Sequence, residues 1–263
     1  MKQRTLTGVV LALMAAVLLG CFHLPYFPQL TAIVIGCGAV WEILGVNGIE
    51  NKGSRISGCI LAVLLPLLSL TENRYWVAAM LVCGLVFFTY LMANIGKLSP
   101  NTWIITGEIL FALSLYRCLA SYGRIPYGAF YLCLTGLICA LTDIFAYLVG
   151  SRYGRHKLAP KISPGKSIEG ALGGLGISTV VILLLFGRFF RSTWALAVYT
   201  VIVSLLGQFG DLSMSAIKRV AGVKDFGKIF PGHGGILDRL DSLMYPLAFT
   251  WLLFCFKIWI FLN

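Results

Sequence analysis

The sequence predicts an all-α, polytopic integral membrane protein of about nine transmembrane helices with two basic cytoplasmic loops. Three observations carry that expectation. Hydrophobic residues make up 59% of the 263 positions and charged residues 12%, whereas soluble domains are roughly half apolar. The mean hydropathy is +0.88. Apolar runs of nearly 20 residues recur along the chain, the length a helix needs to cross about 30 Å of hydrocarbon.

The spans fall at about residues 6 to 22, 29 to 46, 56 to 70, 75 to 93, 102 to 121, 126 to 149, 170 to 187, 194 to 213 and 243 to 261. Pro25 and Pro28, the Asn47 to Gly53 run, Ser99-Pro100 and Gly123 to Pro126 punctuate them as helix breakers do. Two regions follow: spans one to five over residues 1–125, and a catalytic region over 126–263 with loops at 150–170 and 214–242. The amino terminus, Lys2 and Arg4 before an apolar run, imitates a signal peptide. No A-x-A-like cleavage site follows it, so it reads as the first span.

The net charge of +11 would suggest nucleic acid in a soluble domain. Here basic residues set topology and attract anionic head groups instead, and no nucleic-acid role is read. The amino terminus and the loops after spans two, four, six and eight hold two, two, one, five and five of the 21 lysines and arginines. By the positive-inside rule these segments face the cytoplasm. The setting is an inner (plasma) membrane with the active site on its cytoplasmic side. The eight cysteines stand singly in apolar runs without a CxxC pair, which excludes a zinc or disulfide framework and leaves them as small buried hydrophobes.

Spans one to five carry little chemistry. Glu42 and Glu108 interrupt apolar runs, and an intramembrane carboxylate costs several kcal/mol unless it meets a partner or water. Either could line a polar cavity; the reading preferred for both is a place near an interface or a hydrogen-bonded one inside the bundle. Gly8, Gly20, Gly36, Gly38, Gly45 and Gly48 read as close-packing positions.

From residue 143 the functional density rises. Asp143, Tyr147 and Gly150 stand at i, i+4 and i+7, on one face of span six at its cytoplasmic end. Residues 151 to 170 are too polar and proline-rich to span. Within them Ser163-Pro164-Gly165-Lys166-Ser167-Ile168-Glu169-Gly170 reads as a specified turn opening a helix, with Ser167 as its cap and the helix start as an anion site.

The stretch from Asp211 to Asp241 packs four aspartates, five lysines and arginines, a histidine and a glycine-rich turn into 31 positions. Asp211, Ser215 and Lys218 share one helical face, a surface for a metal and a phosphate. Lys224-Asp225 and Pro231-Gly232-His233-Gly234-Gly235 form a loop whose glycines permit close backbone approach to a ligand. Asp238 and Asp241, beside Arg239, open the final helix. Each piece alone has a bland reading, such as a juxtamembrane anchor for Lys218-Arg219 or a surface pair for Asp238-Arg239. Their concentration in so short a stretch argues against all of these together. Oxygen ligands without a cysteine or histidine cluster suit a hard ion such as Mg2+, whose coordination phosphates complete. The neighbouring cations imply a polyanionic substrate, so the chemistry is phosphoryl or nucleotidyl transfer by positioning and charge neutralisation. No GxxxxGK[ST] loop is present.

From Ser215 to Asp241 the run S-x-I-K-R-x4-K-D-x-G-x2-F-P-x-H-G-G-I-x-D-R-L-D resembles the sequence pattern of the CDP-diacylglycerol synthases (phosphatidate cytidylyltransferases), with every specified position filled. Asp143-x-x-Ala146-Tyr147-x-x-Gly150 and the Ser163 to Gly170 run are similar to that family's upstream motifs, so the resemblance covers about residues 143 to 242. Gly165 and Ser151 stand where relatives often carry a basic residue. The resemblance implies CTP and phosphatidic acid as substrates, CDP-diacylglycerol and pyrophosphate as products, Mg2+ as cofactor, K+ as a candidate second cation, and a homodimer in the lipid membrane. It implies Asp211 and Asp238 as the metal ligands, with Asp225 and Asp241 supporting them. Lys218, Arg219, Lys224 and Arg239 would hold the triphosphate and lipid phosphate, and His233 would position a phosphate or protonate pyrophosphate. Lys166 and Ser167 would close over the nucleotide or lipid head group, with Ser163, Asp143, Tyr147, Ser215, Gly234 and Gly235 lining the substrates. Two other readings are a transporter using Glu42, Glu108 and Asp143 as an ion path, and a CTP-dependent polyprenol kinase that releases CDP.

Overall fold

The computed structural model describes residues 13, 16–24, 26–49, 52–67, a few isolated positions between 82 and 112, 118–123, 125–230 and 234–256. Most of the expected spans one, four and five, together with Glu108, lie outside the described residues. Helix α1 runs Phe27–Val46 and α2 Lys52–Leu67; α3 runs Gly128–Tyr153, α4 Ile168–Phe186 and α5 Thr193–Val220; α6 is the single turn Leu237–Leu240 and α7 is Met244–Cys255. Between α3 and α4 stand two short strands, β1 Lys157–Ala159 and β2 Ser163–Ser167, paired antiparallel with Lys157 opposite Ser167. The described residues are mostly helical, consistent with the all-α expectation, and the two short strands form a single hairpin between α3 and α4. Among the described residues four helices are long and apolar enough to cross a membrane, Phe27–Val46, Gly128–Tyr153, Ile168–Phe189 and Thr193–Val220, and the protein is a membrane protein.

Element ends follow local chemistry. Ser167 caps α4 by accepting from the Gly170 N–H at 3.1 Å, as its place before Ile168 predicts. Ser192 caps α5 in the same way, through the Ala195 N–H at 3.2 Å. The 28 residues of α5 rise about 42 Å at about 1.5 Å each, more than the hydrocarbon core requires, so its charged last turns stand beyond the apolar zone. The helix ends at Gly222, whose φ of +72° lets Val223 N–H reach back to the Lys218 carbonyl at 2.8 Å and Gly222 N–H to that of Arg219 at 3.2 Å. This paired closure fixes where Lys218 and Arg219 emerge. Asp238 and Asp241 do not open the final helix as expected. Asp238 belongs to the separate turn α6, and Asp241 lies in the turn before α7. The physical reason is Pro246 in the first turn of α7, which has no N–H for the Ser242 carbonyl. That carbonyl takes the Cys139 thiol instead, at 3.5 Å.

Among the described helices, α3 and α4 share the most extensive contact. A Cβ at Gly174 would lie 2.6 Å from the Thr142 carbonyl oxygen, and one at Gly170 would lie 2.6 Å from that of Ala146. The two glycines let the backbones approach, the small-residue mode of packing apolar helices in lipid. Small polar side chains bind the bundle as well: Thr142 Oγ1 is 3.1 Å from Ser178 Oγ and 3.0 Å from Ser204 Oγ, and Tyr199 Oη is 2.8 Å from Thr135 Oγ1 and 2.9 Å from Thr250 Oγ1. Of the amino-terminal glycines expected to pack, Gly38 meets the Ile236 side chain, whereas among the described residues nothing approaches Gly20 or Gly45 within 4 Å. The carbonyl contact at Gly174 yields a test: Gly174→Val should destabilise the chain by about 1–3 kcal/mol, as overpacking a close contact does, read as a lower melting temperature in detergent.

Candidate active site

Two clusters of charge meet at the end of α5. The first lines a cleft of about 480 Å³ between α3, β2, α4 and α5, walled by Asp143, Tyr147, Ser163, Lys166, Gln208 and Asp211 among others. The cap at Ser167 aims β2 into the start of α4, and Lys166 on β2 reaches across to Asp211, with Nζ 2.5 Å from Oδ2. Ser215, one turn beyond Asp211 on α5, donates to its Oδ1 at 3.4 Å. The outer side of the hairpin is held by Glu169, whose carboxylate sits 2.6 Å from His156 Nδ1 and accepts the Arg155 N–H at 3.0 Å.

The second cluster is buried. Lys218 Nζ donates to Asp238 Oδ1 at 2.7 Å, and their side chains are 10% and 3% exposed. Asp238 Oδ2 accepts the Phe226 N–H at 2.8 Å and the Gly235 N–H at 2.9 Å. Burial alone would raise the Asp238 carboxyl; the Lys218 hydrogen bond and charge and the two amides outweigh it and hold the carboxyl below its usual range. Gly234 has φ of +79° and a Cβ there would lie 2.6 Å from Asp238 Oδ2, so both its conformation and the space require glycine. Behind this cluster Glu42 of α1 accepts the Ile236 N–H at 2.8 Å and the Leu237 N–H at 2.9 Å. Of the places the sequence left open for Glu42, it takes the hydrogen-bonded one, and its partner is the site loop itself.

Asp241 stands between the clusters. Burial first, and then the negative charge of Asp211, push its carboxyl up to about 7, with Lys218 pulling the other way and Asp143 adding to the rise. Asp211 and Asp143 thus both bear on Asp241 in a protein whose net charge is +11. Among the described residues no group of three carboxylate, histidine or cysteine side chains is gathered tightly enough to cage an ion alone. The donors fit a hard cation that arrives with phosphate oxygens of its own.

The remaining expected site residues divide. Arg219 is committed to carbonyls, donating from Nε to Ile162 at 3.1 Å and from its terminal nitrogen to Val223 at 3.2 Å, which ties α5 to the hairpin turn. Lys224, Asp225 and Arg239 are exposed, without an ion pair among the described residues. His233 lies outside the described residues. Gly235 is packed against the Glu42 carboxylate. Sequence reasoning did not assign Gln208, which donates to the Ala171 carbonyl at 3.3 Å; its signal was a polar residue in span eight one turn before Asp211.

A model of the cytidylyltransferase family matches residues 2–256. The chain belongs to the cytidylyltransferase family. It is similar to proteins named phosphatidate cytidylyltransferase from Staphylococcus haemolyticus (strain JCSC1435), 36% identical over 256 residues, 94% of this chain and 96% of the relative. One from Staphylococcus aureus (strain COL) is 38% identical over the same shares. The family match spans both clusters and α1, which holds Glu42.

The buried pair makes a testable demand of this cytidylyltransferase. Removing one partner of a buried ion pair costs about 3–5 kcal/mol because the other charge is left uncompensated. Lys218→Met should therefore lower the melting temperature strongly, and Lys218→Met with Asp238→Asn should recover part of the loss. Because the folded carboxyl is lowered, the contribution of the pair is present above the unfolded value of about 3.9 and fades as pH falls through the lower folded value. An acid titration of thermal stability should show that fade in the wild type and not in the double variant.

Proposed function

We infer that the chain is a membrane-embedded phosphatidate cytidylyltransferase, converting CTP and phosphatidic acid into CDP-diacylglycerol and pyrophosphate in phospholipid biosynthesis. The single observation that carries the chemistry is the pairing of Lys166 with Asp211, 2.5 Å apart in the cleft, next to the buried Lys218–Asp238 pair. Cations and carboxylates are interleaved there, as two polyanionic substrates and a divalent cation require.

The reaction forms a bond between a phosphatidate phosphate oxygen and the α-phosphorus of CTP and breaks the bond from that phosphorus to the β-phosphate bridge. A phosphate is already an anionic nucleophile, so no strong base is needed. What is needed is cancellation of charge. Lys166, whose Asp211 partner lies at the cleft wall, takes up phosphate charge when substrate enters. Lys218 keeps Asp238 ionised and in place while its charge reaches Asp241. Gln208 and Tyr147 line the same cleft.

Mg2+ fits this arrangement as a proposal. Asp211 and Asp238 are its ligands by family likeness, but both Asp238 oxygens already have protein donors. Asp211 together with Asp241 is the pair with surplus negative charge, and the nucleotide phosphates complete the coordination. The cation supplies charge neutralisation at the transferring phosphate. The charge of the two basic loops supports, by the positive-inside rule, a cleft facing the cytoplasm from an inner membrane. Asp211→Asn should abolish Mg2+-dependent release of pyrophosphate from CTP, a loss of about 10³-fold or more, with a melting temperature near that of the wild type. Substantial retained release would sink the role of Asp211.

A further inference from the structure

Glu42 has no place in the chemistry described above, yet it is 4% exposed on a helix long and apolar enough to span the membrane. Both of its oxygens are spent on the backbone of a segment almost 200 residues away: Oε1 accepts from Ile236 and Oε2 from Leu237, at 2.8 and 2.9 Å. These are the first amides of α6, the four-residue turn that carries Asp238.

So short a helix has no stability of its own, since nucleating one turn costs more than its few hydrogen bonds return. Its first N–H groups have no partners within the helix. Three consecutive amides, of Gly235, Ile236 and Leu237, are satisfied by Asp238 Oδ2 and the two Glu42 oxygens. The loop is also shaped around the carboxylate, because a Cβ at Gly235 would strike it and one at Gly227 would lie 2.5 Å from Oε1. One turn earlier on α1, Gly38 receives the Ile236 side chain. The same face of α1 therefore both caps and seats the segment that presents Asp238 to Lys218.

We infer that Glu42 is a positioning residue for the cytidylyl transfer: through the amides of Ile236 and Leu237 it sets where Asp238, and with it Lys218, stands at the reacting phosphates. It acts through the loop and does not touch substrate. The inference rests on the proposed reaction and deepens it by linking α1 to the site.

The test uses the full chain in detergent with phosphatidate and CTP. Glu42→Gln keeps the shape but replaces one acceptor by an N–H donor facing the Leu237 or Ile236 amide. It should lower kcat by about 10- to 100-fold, the range found when a residue that orients a site ligand is changed. The KM for phosphatidate should stay within about twofold, because the cleft walls are untouched. Amide exchange should speed up in residues 234–240 and stay unchanged in α3 and α4, which a general loss of packing would not do. Gly227→Ala, which crowds the carboxylate without removing it, should show the same pattern and serves if Glu42→Gln does not fold. Wild-type kcat in either folded variant, or faster exchange throughout the bundle, overturns the inference. A wild-type chain that releases no pyrophosphate from CTP overturns the proposed reaction instead.

Discussion

The carboxylate of Asp238 is the joint on which the site depends. A buried charge is tolerated only when nearly all of its hydrogen-bonding capacity is met, and here it is met by three separate pieces of chain: Lys218 at the end of α5, Phe226 in the following loop and Gly235 before α6. Because each donor comes from a different segment, satisfying the charge fixes all three at once. Glu42 extends the same logic to α1, where a second buried carboxylate is satisfied by the adjoining amides. The loop from Gly222 to Asp241 has, among its described residues, Phe226 and Leu237 as its buried apolar anchors. Its shape is set by polar demand more than by hydrophobic packing.

The open cleft is organised differently. Lys166 and Asp211 are each about a quarter exposed, so solvent screens their attraction and the pair is easily exchanged for other partners. That contrast separates an ion pair held fixed at the site from one suited to open for substrate. Burial first, and then the charge of Asp211 beside it, raise the Asp241 carboxyl. In the proposed reaction Asp211 and Asp241 would hold Mg2+ together with phosphate oxygens, and Lys166, freed from Asp211, would face the phosphates.

Much of this was legible in the sequence. The face shared by Asp143, Tyr147 and Gly150 follows from helical periodicity and lines the cleft as expected. The cap at Ser167 followed from residue type, and the long run through Ser215 to Lys218 and Arg219 is one helix. Other features depend on contacts that spacing does not encode. The β-hairpin pairs residues through backbone hydrogen bonds in a stretch containing Pro164 and Gly165, too short for alternation to register. The i, i+3 spacing of Asp238 and Asp241 suited a continuous helix, and only the missing N–H of Pro246 and the Asp241 bond to the Ser242 amide, 2.9 Å, interrupt it. The partner of Glu42 lies 194 residues along the chain, beyond any local pattern. Gly170 and Gly174 were visible as glycines, but that they admit the Ala146 and Thr142 carbonyls is a fact of helix crossing.

The central claim is that the lipid phosphate attacks the α-phosphorus of CTP, and the fate of label tests it most directly. With CTP labelled at the α-phosphate, the purified chain and phosphatidate, the account predicts label in the lipid product and unlabelled pyrophosphate in solution. With label at the γ-phosphate, all of it should leave as pyrophosphate. Transfer of the γ-label to lipid with release of CDP would contradict the account and make the chain a lipid kinase.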